Sequence, residues 1–253
     1  MLDYAYRIPN VPYLFLGREG IMRTTASSDD PWLRRVLLPN YQVQEAAKYA
    51  QISPQTVINW QKGAAGPTLA PREHRAPLNY MQLIEIAVVA ALRKEGVLLK
   101  RIREAREYIQ RTLQSEFPFA EYRFKTDGQR LFNDYADFVG PHKGRGKLVR
   151  PDQQGQLAWS AVIGRLKEFE YERKRIVTRW RVAGPDSPIR IDPRVSFGAP
   201  MIKGIPTWAI KGRWDAEEDP EEIADDFSLR KADVIAALVF EGIHRDQLRK
   251  WLH

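Results

Sequence analysis

Apolar positions first settle into a helical rhythm at residues 41–63, YQVQEAAKYAQISPQTVINWQKG. Val43 to Ala50 is Ala-rich and predicts one helix, in which Ala46, Ala47 and Ala50 are small enough to let a neighbour cross closely. Ser53 marks the start of a second helix: its hydroxyl can accept from free N–H groups, and Pro54 at the first helical position has no N–H to lose. This helix is expected to run to Lys62, with Gly63 supplying the stop. Ile52, Val57 and Trp60 are the candidate core between the two. Gln55, Thr56, Asn59 and Lys62 then share the opposite face, spaced one, four and seven residues from the first. The unit reads as a helix-turn-helix. Its polar face carries side chains that suit a DNA major groove, where Asn and Gln can bond adenine edges and Lys can reach guanine or phosphate. Two short core helices with polar outsides would give the same local pattern.

Residues 64–77, AAGPTLAPREHRAP, are rich in Pro and Gly and end in Arg72, His74 and Arg75. The breakers predict a loop or short hairpin. After a recognition helix, a winged helix carries its wing at this place, with Arg side chains lying along phosphates. A plain surface loop is the alternative. Asn79 to Lys94 predicts a helix with Leu83, Ile84, Ala87, Val88, Ala91 and Leu92 on one face, interrupted by Gly96. Leu98 to Leu113 predicts its antiparallel partner, burying Leu98, Ile102, Ala105, Ile109 and Leu113 and turning Lys100, Arg101, Arg103 and Arg111 outward.

From Phe117 aromatic and basic residues alternate around Thr126-Asp127-Gly128, a hairpin signal. Gly140 to Gln156 reads as a linker or long loop, Leu157 to Phe169 as a helix, Tyr171 to Val182 as one strand, and Ile189 to Ile191 as a short strand before the irregular DPRVSFGAPMIKGIPT. Helices return at Pro206-Thr207 and at Asp219-Pro220. A turn at Phe227-Ser228, a helix from Arg230 to Glu241 and a last turn through Leu248, Trp251 and Leu252 complete the chain.

The expected fold class is therefore α+β, mainly α. A DNA-binding domain at residues 40–115 precedes a second domain at 116–253, with a β-hairpin and strands at 117–192 and a helical, helix-turn-helix-like module at 205–252. Residues 1–39 show no sustained period and read as an extension, with Met22 as an alternative start.

At 253 residues the chain is long enough for a sizeable core, and no apolar run approaches the span of a bilayer. There is no Cys, which excludes a disulfide scaffold and any thiolate metal site and suits a cytoplasmic location. The opening residues lack the basic start, apolar core and cleavage site of a signal peptide. Forty Lys and Arg against 32 Asp and Glu give a formal charge of +8. That charge is unevenly spread. Basic residues crowd 93–111 and 123–150, whereas Asp215 to Asp226 is strongly acidic. A nucleic acid would meet the first two thirds of the chain, and the acidic helix, which repels phosphate, reads as a protein-binding module.

Two stretches carry resemblances. The helix-turn-helix, with LNYMQLIEIAVVAALRKEGVLLKRIREAREYI after it, is similar to the N-terminal domain of MerR-type regulators, a winged helix-turn-helix with an appended helix pair. RVSFGAPMIKGIPTWAI with PEEIADDFSLRKADVIAALVFE resembles a widespread bacterial domain of formerly unknown function found in antitoxins, often paired with a PIN-domain ribonuclease toxin. Together they make the chain look like a VapB-type antitoxin with a MerR-like head. The absence of Cys and of a long coiled-coil helix after Leu113 means that neither metal sensing nor the usual MerR dimer seam carries over.

The resemblance implies a non-enzymatic antitoxin of a type II toxin-antitoxin module. It would bind double-stranded operator DNA as a homodimer, neutralise a PIN-domain ribonuclease toxin and repress its own operon. Gln55, Thr56 and Asn59 would contact bases, and Lys62, Arg72 and Arg75 phosphates. A regulator whose aromatic-rich middle senses a small ligand is the alternative. An enzyme has little to stand on. His74, His142, His244 and His253 show no metal-ligand spacing, the acidic run at 215–226 reads as a solvated face, and Gly140, Gly144 and Gly146 lack the ending of a phosphate loop. No cofactor or metal is expected.

Overall fold

The residue that decides the packing is Glu85, the one charged side chain between Tyr80 and Leu92. The computed structural model describes residues 31–62, 68–70, 75–121, 124, 164–172 and 176–251. Expectations for residues 1–30, the hairpin at Thr126-Asp127-Gly128, the linker at 140–156 and Arg72 lie outside these residues. Among those described, the fold is α+β and mainly α, with two small antiparallel sheets.

Helix α1 spans Pro31–Leu37, α2 Val43–Ala50, α3 Pro54–Lys62, α4 Tyr80–Lys94 and α5 Leu99–Leu113. At the start of α4 the Asn79 side chain accepts from the Gln82 N–H at 2.8 Å while the Gln82 side chain accepts from the Asn79 N–H at 3.0 Å, closing a capping box. Every residue from Tyr80 to Leu92 is buried, not the single face the spacing suggests. The reason is that α1, α2, α5 and a 3-10 turn at Pro118–Ala120 all pack around α4, so residues such as Met81, Ile86 and Val89 also meet protein. Leu98 corrects a second expectation. It serves as the N-terminal flanking residue of α5 and is 61% exposed.

Burying Glu85 requires a partner. Arg106 on α5 donates from Nε to Glu85 Oε2 at 2.7 Å, and the Phe119 N–H donates to Oε1 at 3.1 Å. The same guanidinium reaches the Glu116 carbonyl at 2.6 Å and Gln110 Oε1 at 3.2 Å. Arg106, which the helical pattern left unassigned, is thus the inward-facing cation that ties α4, α5 and the Pro118–Ala120 turn together. Burial pushes the Glu85 carboxyl above its ordinary value, and the Arg106 charge draws it back.

The middle of the chain departs from expectation. Pro118–Ala120 is a 3-10 helix where an extended strand was expected, and among the described residues of that stretch Glu121 makes a β-bridge, to Ile176. Helix persists to Lys167, but Phe169 already belongs to a strand. The expected single strand from Tyr171 to Val182 is an antiparallel pair, β1 Phe169–Glu172 and β2 Ile176–Trp180. Cross-strand pairs explain it: Phe169 sits opposite Trp180 with ring centroids 5.8 Å apart, and Glu170 sits opposite Arg179, which it pairs with at 3.4 Å. Ile189 to Ile191 contributes bridges to Trp180 and Met201 and no strand of its own. The stretch expected to be irregular contains a second hairpin, β3 Met201–Ile202 and β4 Ile205–Pro206. Lys203 and Gly204 turn it with φ of 49° and 89°, the left-handed pair that a two-residue hairpin needs.

Three helices follow: α6 Thr207–Asp215, α7 Pro220–Asp226 and α8 Lys231–Phe240. Asp219 and Glu222 form a capping box around Pro220, as the Asp-Pro pair predicts. Ile210, Ile223, Val234, Ala237 and Leu238 close a small core between them. That core is continuous with the one around α4, running from Val36 to Leu248.

Replacing Arg106 by Ala should destabilise the protein by about 3–5 kcal/mol, because Glu85 keeps a buried charge without its partner. The double variant Glu85→Leu/Arg106→Leu should recover most of that loss. Urea unfolding of both proteins checks this; equal losses would show that packing, not charge, holds the joint.

Candidate nucleic-acid interface

The turn between α2 and α3 is built by backbone geometry. Gln51 adopts the left-handed conformation at φ 57°, and the Ile52 N–H returns to the Ala47 carbonyl at 3.0 Å. Ser53 Oγ then accepts from the Thr56 N–H at 3.1 Å and lies 2.8 Å from Thr56 Oγ1. Ala46, Ala47, Ala50, Val57 and Trp60 are buried where the helices cross, and Ile52 is half-buried beside them. The two helices lie where the sequence places them, and of the four residues expected to face outward Gln55, Asn59 and Lys62 do so.

Gln55, Asn59 and Lys62 are exposed. Gln55 Nε2 donates to Asn59 Oδ1 at 2.9 Å, which leaves Gln55 Oε1 as an acceptor and Asn59 Nδ2 as a donor, the pair an adenine edge requires. Thr56 is half-buried and its hydroxyl bonds Ser53, so it supports the turn more than it reaches outward. The wing expected at 64–77 is largely outside the described residues, and so is Arg72. Of the described residues there, the Thr68 N–H bonds the Trp60 carbonyl at 2.8 Å, and Leu78, just after the stretch, pairs with Tyr41 through bonds of 2.8 and 2.9 Å. Arg75, between them, is exposed with φ 64°.

The basic helix is less free than its sequence suggests. On α5, Lys100 and Arg101 approach Glu104 at 4.0 and 3.4 Å, and Arg111 approaches Glu107 at 3.5 Å. A second cationic surface was hidden from sequence reasoning because three chain segments build it. Arg93 and Lys94, exposed at the end of α4, and Arg165 from the middle of the chain, which pairs with Glu168 at 2.7 Å, line an open groove of about 540 Å³ with Gln51, Thr56 and Trp60. It adjoins the first turn of α3. The signal available in the sequence was the basic cluster starting at Arg93; nothing local pointed to Arg165.

A charged cluster holds the segment that enters α2. Asp192 is 4% exposed. Arg179 Nε donates to it at 2.9 Å, and Arg194 donates from its backbone at 2.9 Å and from its side chain at 2.8 Å. Burial would raise this carboxyl, but those hydrogen bonds prevail and hold it below the ordinary 3.8. The Arg194 carbonyl in turn accepts from Arg35 at 2.7 Å, and the Phe197 carbonyl accepts from Asn40. A Cβ on Gly198, at φ 75°, would collide with the Tyr41 hydroxyl, so only glycine lets this loop close on the entry to α2. On the other side, Lys48 of α2 pairs with Glu241 at 2.8 Å, and Tyr49 stacks on Phe240 with centroids 6.0 Å apart.

Among the described residues no group of three or more His, Asp or Glu is placed to hold a metal ion, and no helix is long and apolar enough to cross a membrane. His244 is an exposed side chain 3.7 Å from Asp246.

Comparison with known proteins adds to this geometry. A family model described as a protein of unknown function, DUF433, matches residues 189–240, from the bridge at Ile189 to the end of α8. The chain is 23% identical over 214 residues to "Putative antitoxin VapB45" of Mycobacterium tuberculosis (strain ATCC 25618 / H37Rv), covering 76% of this chain and 89% of that protein. The crystal structure of Rv2018 from Mycobacterium tuberculosis superposes with a TM-score of 0.67 at 20% identity, over 79% of this chain and 98% of that one. The fold is shared with that protein.

The lowered Asp192 carboxyl contributes stability that is complete above its unfolded value and is lost as pH falls through the depressed one. Acid unfolding at pH values below the ordinary 3.8 should therefore be steeper for the native protein than for Asp192→Asn. Circular dichroism along both titrations checks this, and parallel curves would remove Asp192 from the acid response.

Proposed function

We propose that the chain is a DNA-binding antitoxin of a type II toxin-antitoxin module. It acts without catalysis, binding operator DNA as a homodimer, repressing its own operon and neutralising a PIN-domain ribonuclease toxin by protein–protein contact. The observation that carries the reading is the capped α2–α3 pair, whose outer face offers the Gln55 acceptor beside the Asn59 donor. Similarity to a protein named as an antitoxin across most of both chains supports the second half of the proposal.

The labour divides along the chain. In residues 40–115, a MerR-like winged helix-turn-helix, Gln55 and Asn59 select bases while Lys62, Arg72 and Arg75 grip phosphates. Thr56, its hydroxyl held by Ser53, serves them by fixing the turn ahead of α3. Residues 116–253 present the toxin-binding surface, in which the helices around the acidic run stay clear of DNA by charge repulsion. As a dimer the protein would read half-sites one helical turn, or a multiple, apart. A regulator that senses a small ligand through its middle region takes second place to the antitoxin reading, which the similarity to a protein named as an antitoxin supports.

Two measurements separate these roles. Asn59→Ala should lose roughly 1–3 kcal/mol at one base position of the operator, whereas Lys62→Ala should weaken all sequences alike and reduce the salt slope by about one. Fluorescence anisotropy on an operator and its single-base variants reads both, and uniform weakening by Asn59→Ala would refute its base-reading role. For the toxin, the ribonuclease of the neighbouring reading frame is expressed alone and with this chain. Growth restored by the chain supports the proposal; unchanged arrest, with no complex recovered, overturns it.

A further inference from the structure

The acidic module carries a feature that repulsion of phosphate does not explain. Where α6 gives way to α7, Trp214 and the C-terminal Trp251 meet edge to face, with centroids 5.3 Å apart and planes at 81°. Both rings are half-buried, and between them and the turn opens a groove of about 270 Å³ rimmed by Glu217, Glu218 and Asp219. An aromatic wall under a rim of carboxylates is the complement of a guanidinium or ammonium group, which gains from the ring face and from the anion together.

The charges around it are not balanced internally. From Lys211 to Asp226 eight carboxylates face only Lys211 and Arg213. Lys211 is taken by Asp215, and Arg213 by Glu218 and Asp226. Lys231 pairs with Glu221 at 3.3 Å. Glu217, exposed on the groove, has no ion pair among the described residues. The rings of this corner are also used as seats for cations already: Lys250 lies 4.9 Å from the centre of the Trp251 ring, and Arg213 lies 5.4 Å from that of Phe227.

We infer that the Trp214–Trp251 groove docks an Arg or Lys side chain on a basic segment of a protein partner, with Glu217 as its counter-ion. This rests on the reading of residues 116–253 as a partner-binding surface and names the chemistry of its contact. The groove excludes nucleic acid by charge and is too polar at its rim for an apolar peptide.

The test uses the full chain and a peptide in which arginines alternate with glycines, beside a counterpart with citrulline at each arginine. The indole N–H resonances of Trp214 and Trp251, assigned through Trp214→Phe and Trp251→Phe, report the site. The arginine peptide should shift both and bind at least about tenfold more tightly than the citrulline peptide, with Glu217→Gln weakening it about threefold or more. Glu217 is exposed, so this variant folds even if the tryptophan variants do not. Equal binding of the two peptides, an unaltered affinity in Glu217→Gln, or self-association of the chain through this groove would overturn the assignment. A chain that binds the arginine peptide here yet leaves the neighbouring ribonuclease active defeats the antitoxin reading and keeps the groove. One that silences the ribonuclease equally well as Glu217→Gln does the reverse.

Discussion

Glu85 and Arg106 are the pair on which the helical part of this protein turns. A carboxylate fully enclosed in an apolar helix is costly unless its oxygens are both satisfied, and here they are, by a guanidinium from the next helix and an N–H from the turn after it. The consequence is register. Apolar side chains alone would let α5 slide along α4 at modest cost, whereas a charge that must find one oxygen pair permits one alignment. That alignment also fixes where Pro118–Ala120 crosses, and with it the place at which the chain leaves the helices for its central region.

Legibility in the sequence followed the range of the forces involved. The bounds of α2 and α3 could be read because local chemistry sets them: an Ala-rich run for α2, and Ser53 with Pro54 at the start of α3. The same holds for α7, announced by Asp219-Pro220. What could not be read depends on partners far along the chain. Burial of α4 on all sides needs four neighbours, and the division of residues 169–180 into two strands needs Phe169 opposite Trp180. Leu98 was misjudged because its place in the period ignores that it lies before the first helical turn. In the candidate interface, Gln55, Asn59 and Lys62 were visible as one helical face. Arg165 was not, since it comes from a segment that no local pattern links to α3.

Electrostatics separates the molecule into two chemistries. The exposed cations of Arg93 and Lys94 gather beside α3, while the carboxylates gather around α7. The protein's overall positive charge therefore misrepresents each end: a polyanion is drawn to the head and held off the tail, and a basic polypeptide experiences the opposite. Two partners of opposite charge could occupy such a molecule together without competing for the same surface.

The small contact between α2 and α8 has a thermodynamic consequence. Lys48 and Tyr49, on α2, rest on Glu241 and Phe240, at the end of α8. A ligand that favoured one position of α8 would act on α2 through this contact. Linkage makes the effect mutual: whatever factor a ligand at one end applies to affinity at the other must be returned in full. The stack of one tyrosine on one phenylalanine is thus a place where a coupling free energy can be stored, and its size sets how far occupancy at either end is felt by the other.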